Sequence, residues 1–188
     1  MQPQNRMSVA EFRKFTDKPQ QKPKQMKNRI KGGTNRSNGL YFESILKQAC
    51  EYYFIQGRAH IEKTPEPMRP ISKQQRDGSF TAVFEKKAQA DFKGTLMGGR
   101  AVAFEAKHTD TSQIQQTAVN SEQEKFLNRE EQMGAICFVI VSFGFTDFFR
   151  VPWSEWKRMK EKYGRKYLKP EDIEQFRIKY CGQLMFLD

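Results

Sequence analysis

The sequence predicts an α/β sandwich, a mixed β-sheet flanked by helices with one hairpin projecting from it. Three stretches carry that expectation. An apolar stripe at helical spacing begins just after residue 38. The stretch Gln89 to Lys107, QADFKGTLMGGRAVAFEAK, reads as two short strands joined by a tight turn. Residues 135–143, AICFVIVSF, form a β-branched and aromatic run suited to a strand buried on both faces.

The elements follow in order. Residues 1–36 are polar, basic and rich in Gln, Pro and Lys, with KPQQKPK at 18–24. That composition cannot bury enough apolar surface to fold alone, so a flexible arm that waits for a partner is expected. The domain is expected over residues 37–188. Asn38 serves as N-cap of a helix to about Gln56, in which Phe42, Ile45, Leu46, Ala49, Cys50, Tyr53 and Phe54 recur at spacings of three and four. Gly57 stops that helix, and Ala59 to Lys63 reads as a strand.

Residues 64–88 break the pattern. Pro65, Pro67 and Pro70 stiffen an extended approach, Asp77-Gly78 marks a turn, and Phe80 to Glu85 alternates like a strand. Arg69, Lys73, Arg76, Lys86 and Lys87 make this expected hairpin basic. Phe80 or Phe84 on it either stacks on unpaired bases or holds the hairpin against the domain.

After Lys107, residues 108–120 read as a polar loop. Ser121 and Glu124 form a capping-box pair for a helix to about Met133, with Phe126, Leu127, Glu130 and Met133 on its inner side. Gln123 falls on that stripe, where its amide needs a partner: either a nearby backbone group or a site beside the sheet. Phe145 to Val151 is a further strand. Pro152 opens a helix carrying Trp153, Trp156, Met159 and Tyr163, and Pro170 leads into a last helix over Glu171 to Lys179.

Charge narrows the partner. The formal net charge is +11 with a pI near 9.6, and residues 1–40 hold ten Lys or Arg against Glu11 and Asp17. A basic arm before a nearly balanced domain points to a polyanion, most often nucleic acid. The arm lacks an apolar stripe, so it suits a membrane surface poorly. No signal-peptide core and no membrane-length apolar run are visible, and Cys50, Cys137 and Cys181 show no metal spacing. A cytoplasmic protein without a zinc site is expected.

The chemistry centres on the hairpin. In RAVAFEAK, Val102, Phe104 and Ala106 share one face, and Ala103, Glu105 and Lys107 the other. The turn at Gly98 and Gly99 returns the chain so that Asp91 lies beside Glu105. Two adjacent carboxylates repel unless a cation sits between them, and a hard divalent ion such as Mg2+ fits. Lys107 then reaches the water or phosphate that the ion holds. Asp91, thirteen residues, Glu105, Ala106 and Lys107 make a D-x(n)-E-x-K pattern. Taken alone it is equally compatible with an amphipathic hairpin bearing a solvated charged face. Glu43, next to the first helical stripe, reads by itself as a favourable charge at a helix N-terminus.

Together these features resemble the RecU-type Holliday-junction resolvases, a branch of the PD-(D/E)xK nucleases. The resemblance runs from about Asn35 to Val151. It rests on N-R-x-x-G-x-x-x-E (Asn35, Arg36, Gly39, Glu43), K-T-P-x-P at 63–67, the projecting hairpin, Asp91/Glu105/Lys107, Gln123 and the ICFVIVS strand. It implies a restriction-endonuclease-like fold, a hairpin stalk that enters the junction, a homodimer, and a basic N-terminus that aids junction binding. It also implies that Asp91 and Glu105 ligate Mg2+, with Mn2+ as a substitute, and that Lys107 orients or activates water. Glu43 would complete the acidic site, and Gln123 would support it. Arg29, Lys31 and Arg36 of the arm, with Arg69, Lys73, Arg76, Phe84, Lys86 and Lys87 of the stalk, would contact DNA. A recombinase or branch-migration helicase is an implied partner. The sequence departs from the family at Ala90, where the superfamily has Pro, at Gln89, where the family has a hydroxyl residue, and in a gap before Glu105 that is one residue longer. Two other readings fit: another nuclease of this superfamily, or a non-catalytic junction-binding modulator of recombination.

Overall fold

The structure, a computed structural model, describes residues 23–65, 67–84 and 89–188, with side chains at 34–65, 67–83 and 89–188. The chain divides into two compact units, residues 1–37 and 38–188. Helix α1 spans Pro23–Ile55. It therefore begins upstream of Asn38, and residues 23–36 of the expected flexible arm are helical. Lys, Gln, Met and Arg are good helix formers, and Pro suits a first helical position. Asn38 caps nothing: its Nδ2 donates to Asp110 Oδ2 at 3.0 Å. The rest of the arm lies outside the described residues.

The strands in chain order are β1 (Ala59–Lys63), β2 (Met68–Pro70), β3 (Ala82–Phe84), β4 (Phe92–Leu96), β5 (Ala101–Thr109), β6 (Ile114–Gln115), β7 (Ile136–Phe143), β8 (Asp147–Pro152) and β9 (Tyr167–Leu168). Five of them form one sheet in the order β1-β4-β5-β7-β8. Only the β5–β7 pair is parallel, and the others are antiparallel, so the sheet is mixed as predicted. The parallel pair is joined through helix α2 (Ser121–Gln132), the crossover that a parallel connection requires.

Each face of the sheet has its own core. On one, Phe42, Leu46, Ala49, Cys50 and Tyr53 of α1 pack with Phe92, Phe104, Phe138 and Ile140. The rings of Phe92, Phe104 and Phe138, from three neighbouring strands, stack with centroids 5.0 and 4.8 Å apart. Phe54, expected in the same stripe, is exposed at the end of the helix. On the other face Ala103, Val139 and Val141 pack with Leu127 of α2 and with Trp153, Trp156 and Met159. Strict alternation in β5 divides the two faces as the sequence predicts.

Several expected boundaries change for physical reasons. The stretch after Lys107 is not a plain loop: β5 continues to Thr109, and β6 pairs with β9 before a 3-10 turn at Gln116–Ala118. The cap of α2 is Asn120, one residue before the expected Ser121, and its capping-box partner is Gln123 rather than Glu124. Met133 occupies the C-cap of α2, where the stripe has run out, and is exposed. The helix after Pro152 is two short ones, α3 (Trp153–Lys157) and α4 (Met159–Tyr163), broken at Arg158 by its φ of −95° and ψ of 16°. The last helix is a 3-10 segment, Pro170–Phe176, kinked where Ile173 turns into the core. Beyond it, Arg177 bridges to Phe149, and Ile178 N donates to Phe148 O at 2.7 Å, covering the open edge of β8.

Within residues 64–88, the described residues 67–84 form the expected antiparallel hairpin, with β2 paired to β3. Its second strand begins at Ala82 rather than Phe80, and Glu85 lies outside the described residues. The Asp77-Gly78 turn is closed by a hydrogen bond from Gln75 N to Ser79 O at 2.8 Å. Phe80 is half exposed and joins neither described core cluster.

Gly94 is required by close approach, since a Cβ there would lie 2.0 Å from His60 O and 2.6 Å from Ile61 Cα. Gly94→Ala must therefore push β1 away from β4. It is expected to cost about 3 kcal/mol, read as a lower melting temperature and denaturant midpoint. An unchanged midpoint would contradict this packing.

Candidate active site

The β4–β5 hairpin sets the site. Its turn holds Gly98 and Gly99 at φ of 90° and 89°, a left-handed conformation that only glycine adopts easily. The register pairs Phe92 with Phe104 and Lys93 with Ala103. Continued by one step, it sets Asp91 across from Glu105. Asp91 precedes β4, where it is tied by two bonds: Thr64 N donates to its carbonyl at 2.9 Å, and Ala106 N to its Oδ2 at 3.0 Å.

Glu105 has no exposed side-chain surface, a rare state for a carboxylate. Two donors meet its Oε2: Lys107 Nζ at 2.7 Å and Gln123 Nε2 at 2.5 Å. Lys107 Nζ also lies 3.5 Å from Asp91 Oδ2, so one ammonium bridges two carboxylates. Burial pushes the Glu105 carboxyl up to about 8; the Lys107 charge opposes that rise, and the neighbouring Asp91 adds to it. For Lys107, burial works against the charged form, but Asp91 and Glu105 outweigh it and raise its pKa.

Gln123 holds both roles the sequence left open. As the third residue of α2, its Oε1 accepts from Asn120 N at 3.1 Å, which closes the capping box. The backbone donor fixes which end of the amide is oxygen, so the Nε2 must face Glu105. A helix cap thus orients a buried ligand of the carboxylate. Asn120 was missed from the sequence, although Asn followed three residues later by Gln is itself a capping-box signal.

Glu43 is held by a basic residue of β1. Its carboxylate forms an ion pair with Lys63, and no cluster of three or more His, Cys, Asp or Glu able to hold a metal is found among the described residues. Lys63 pairs through its backbone with Phe92, so Glu43 is held beside the strand that follows Asp91. Nothing in the pattern of the sequence marks Lys63 as its partner. Of the expected DNA contacts, Arg36, Arg69, Lys73 and Arg76 are exposed. The side chains of Arg29, Lys31, Phe84, Lys86 and Lys87 lie outside the described residues.

A second constellation imitates a catalytic one. His108 Nδ1 lies 3.2 Å from Ser142 Oγ, and its Nε2 lies 2.9 Å from Asp110 Oδ1. Ser142 is fully buried, however, and His108 is on the α1 face beside Phe42. It is a structural network and not a nucleophile.

The donor set at Asp91 and Glu105 fits a hard divalent cation. Both groups are carboxylates, and Glu105 Oε1 is buried without a hydrogen-bond partner. Two carboxylates without further protein ligands are the arrangement expected for Mg2+, which keeps several waters and takes substrate phosphate oxygens. Asp91 and Glu105 would hold it.

The sequence profile of the family RecU: Recombination protein U matches residues 37–188. A Holliday junction resolvase RecU of Bacillus pumilus is 30% identical over 171 residues, covering 86% of this chain and 80% of its own. One from Streptococcus gordonii is 29% identical, with 57% and 56% covered, and one from Ligilactobacillus salivarius is 28% identical, with 76% and 70% covered. Among solved structures, Archaeoglobus fulgidus Hjc, a Holliday junction resolvase, aligns at 11% identity with a TM-score of 0.46, covering 73% of this chain and 88% of that one. That likeness is too loose to carry weight.

The raised pKa of Glu105 has a stability consequence without metal. A carboxyl whose folded pKa lies above its ordinary value favours folding at low pH and loses that contribution as pH rises. In EDTA the Glu105 contribution is therefore expected to fade between about pH 4.5 and about pH 8. Melting temperatures across that range should converge on, then fall below, those of Glu105→Gln. A constant difference between the two proteins would contradict the assignment.

Proposed function

The chain belongs to the RecU family, and from that premise we propose that it is an endodeoxyribonuclease that resolves four-way DNA junctions. It cuts them by paired, symmetric nicks in reactions that depend on Mg2+, in recombination and repair in the cytoplasm. The observation that supports this reading most is the pair of facing carboxylates bridged by Lys107, with Glu105 fixed by Gln123.

Phosphodiester hydrolysis needs a positioned water, neutralised charge on the phosphate and help for the leaving oxygen. Asp91 and Glu105 would hold a divalent ion, which would supply charge neutralisation and an activated nucleophile. The residues do the rest. Glu105 presents its oxygens from β5 and Asp91 from the residue just before β4, and their relative placement follows the hairpin register. Lys107 places a compact positive charge beside the scissile phosphate. Gln123 keeps Glu105 Oε2 engaged, so Oε1 is the atom left to meet a ligand.

A junction has near two-fold symmetry, and an isologous homodimer carries two equal sites to match it. The exposed basic residues of the β2–β3 hairpin and the basic residues of the N-terminal unit supply phosphate contacts without sequence information. No helix among the described residues is long and apolar enough to cross a membrane.

The test is cleavage of a labelled four-way junction beside a linear duplex of the same sequence, in Mg2+ and in EDTA. Expected are symmetric nicks in the junction only, with Mg2+ only, and a loss of at least about a hundredfold in Asp91→Asn with junction binding retained. Equal cutting of both substrates would indicate a general nuclease. Tight binding without cutting would indicate a junction-binding modulator.

A further inference from the structure

Beside Lys107 the fold builds a cavity of about 370 Å³, and none of its lining residues is acidic. That is unexpected next to two carboxylates. Its wall is formed by the end of β5 and by β6 with the 3-10 turn that follows, including Lys107, Thr109, Thr111, Gln113, Gln115 and Thr117.

The wall is rigid. Ile114 is buried and pairs with the buried Leu168, while Gln116 Nε2 donates to Trp156 O at 3.1 Å. Thr111 Oγ1 donates to Gln113 O at 2.8 Å, so its hydroxyl proton is committed. The 2.8 Å contact between the Thr109 and Thr111 hydroxyls then has Thr109 as the donor. Both threonines spend their protons on the wall itself. The Thr117 hydroxyl and the side-chain amides of Gln113 and Gln115 make no hydrogen bond to a described residue, which leaves three neutral donors at the cavity.

Neutral donors suit this place. A further lysine or arginine here would compete with the metal for Asp91 and Glu105, as Lys107 already does. Hydroxyls and amides bind a phosphate oxygen without that competition, and no carboxylate lines the cavity, the nearby Asp110 being engaged by His108 and Asn38.

We propose that this cavity is a subsite for the phosphodiester backbone of the strand being cut, holding the phosphate next to the scissile one through Gln113, Gln115 and Thr117. These are positioning residues: they set the strand's direction across Asp91, Glu105 and Lys107 and do not touch the reacting atoms. The inference rests on the nuclease reading of that site.

The test is a binding cycle in Ca2+, which allows binding to be read apart from cutting. Fluorescence anisotropy compares the wild-type chain with Gln115→Leu/Thr117→Val, both exposed positions whose replacement leaves the core intact. Each protein is titrated with an intact junction and with junctions carrying one neutral methylphosphonate on either side of the scissile phosphate. The double variant is expected to bind the intact junction about tenfold more weakly, the size of lost hydrogen bonds to a charged group. One of the two methylphosphonates should weaken wild type by a similar factor and weaken the double variant no further. Equal losses in both proteins, or no loss in either, would overturn the subsite. A melting curve shows that the variant is folded, and Gln115→Glu, which puts an acid into the cavity, should lose at least as much affinity. Wild type that binds the junction but does not cut it in Mg2+ would instead overturn the nuclease reading, while the binding cycle still decides the cavity.

Discussion

A carboxylate with no contact with water governs this structure. Glu105 sits in the sheet with its side chain fully buried, and an isolated charge there would be strongly disfavoured. Three separate parts of the chain converge to manage it. The same strand brings Lys107 from two residues away, the turn of chain just before β4 brings Asp91, and the crossover helix brings Gln123. Each depends on a different local feature: side-chain alternation, hairpin register and a helix cap. Slipping the hairpin by one residue would turn Glu105 into the aromatic core and Phe104 into the site.

The two faces of the sheet have correspondingly different work. The stacked rings of Phe92, Phe104 and Phe138 tie β4, β5 and β7 together on the α1 side. That rigid, apolar row lies immediately behind the polar groups of the other face. The site therefore stands on strands whose register is fixed by burial, and the loops need not be ordered to hold it. Burial also ties the chemistry to the charge state: Lys107 is held charged by two acids, while Glu105 is drawn toward its neutral form. A second positive charge reverses that tendency, which is why these residues suit a metal better than a simple ion pair.

Much of this was legible in the sequence. Period-two alternation placed Glu105 and Lys107 on one face, and the Gly98-Gly99 turn brought Asp91 back to them. The apolar run at 135–143 gave the buried strand. What stayed hidden involved competition between neighbouring possibilities. Both Asn120 and Ser121 can cap a helix, and only the capping box with Gln123 chooses between them. Asn38 has the chemistry of a cap, but helix-forming residues upstream and a tertiary bond to Asp110 keep it inside α1. The ion pair of Glu43 with Lys63 joins residues far apart in sequence, which no local pattern encodes. The terminal segment carries helical residues after a proline, yet Ile173 is drawn into the core and the chain goes on to cover the β8 edge.

The proposed cleavage joins these features to DNA junctions, and the proposed subsite beside Lys107 would extend the same surface along the strand. The claim on which all of this turns is that Asp91 and Glu105 form one cation site, with Lys107 as the resident charge when metal is absent. The direct measurement is the pH titration of the Glu105 carboxyl carbon by NMR, with and without saturating Mg2+. The expected midpoint is near 8 without the ion, and Mg2+ should drive it down to the ordinary carboxylate range or below. The same midpoint in both conditions would mean that Glu105 does not meet the metal, and the assignment of the site would fail.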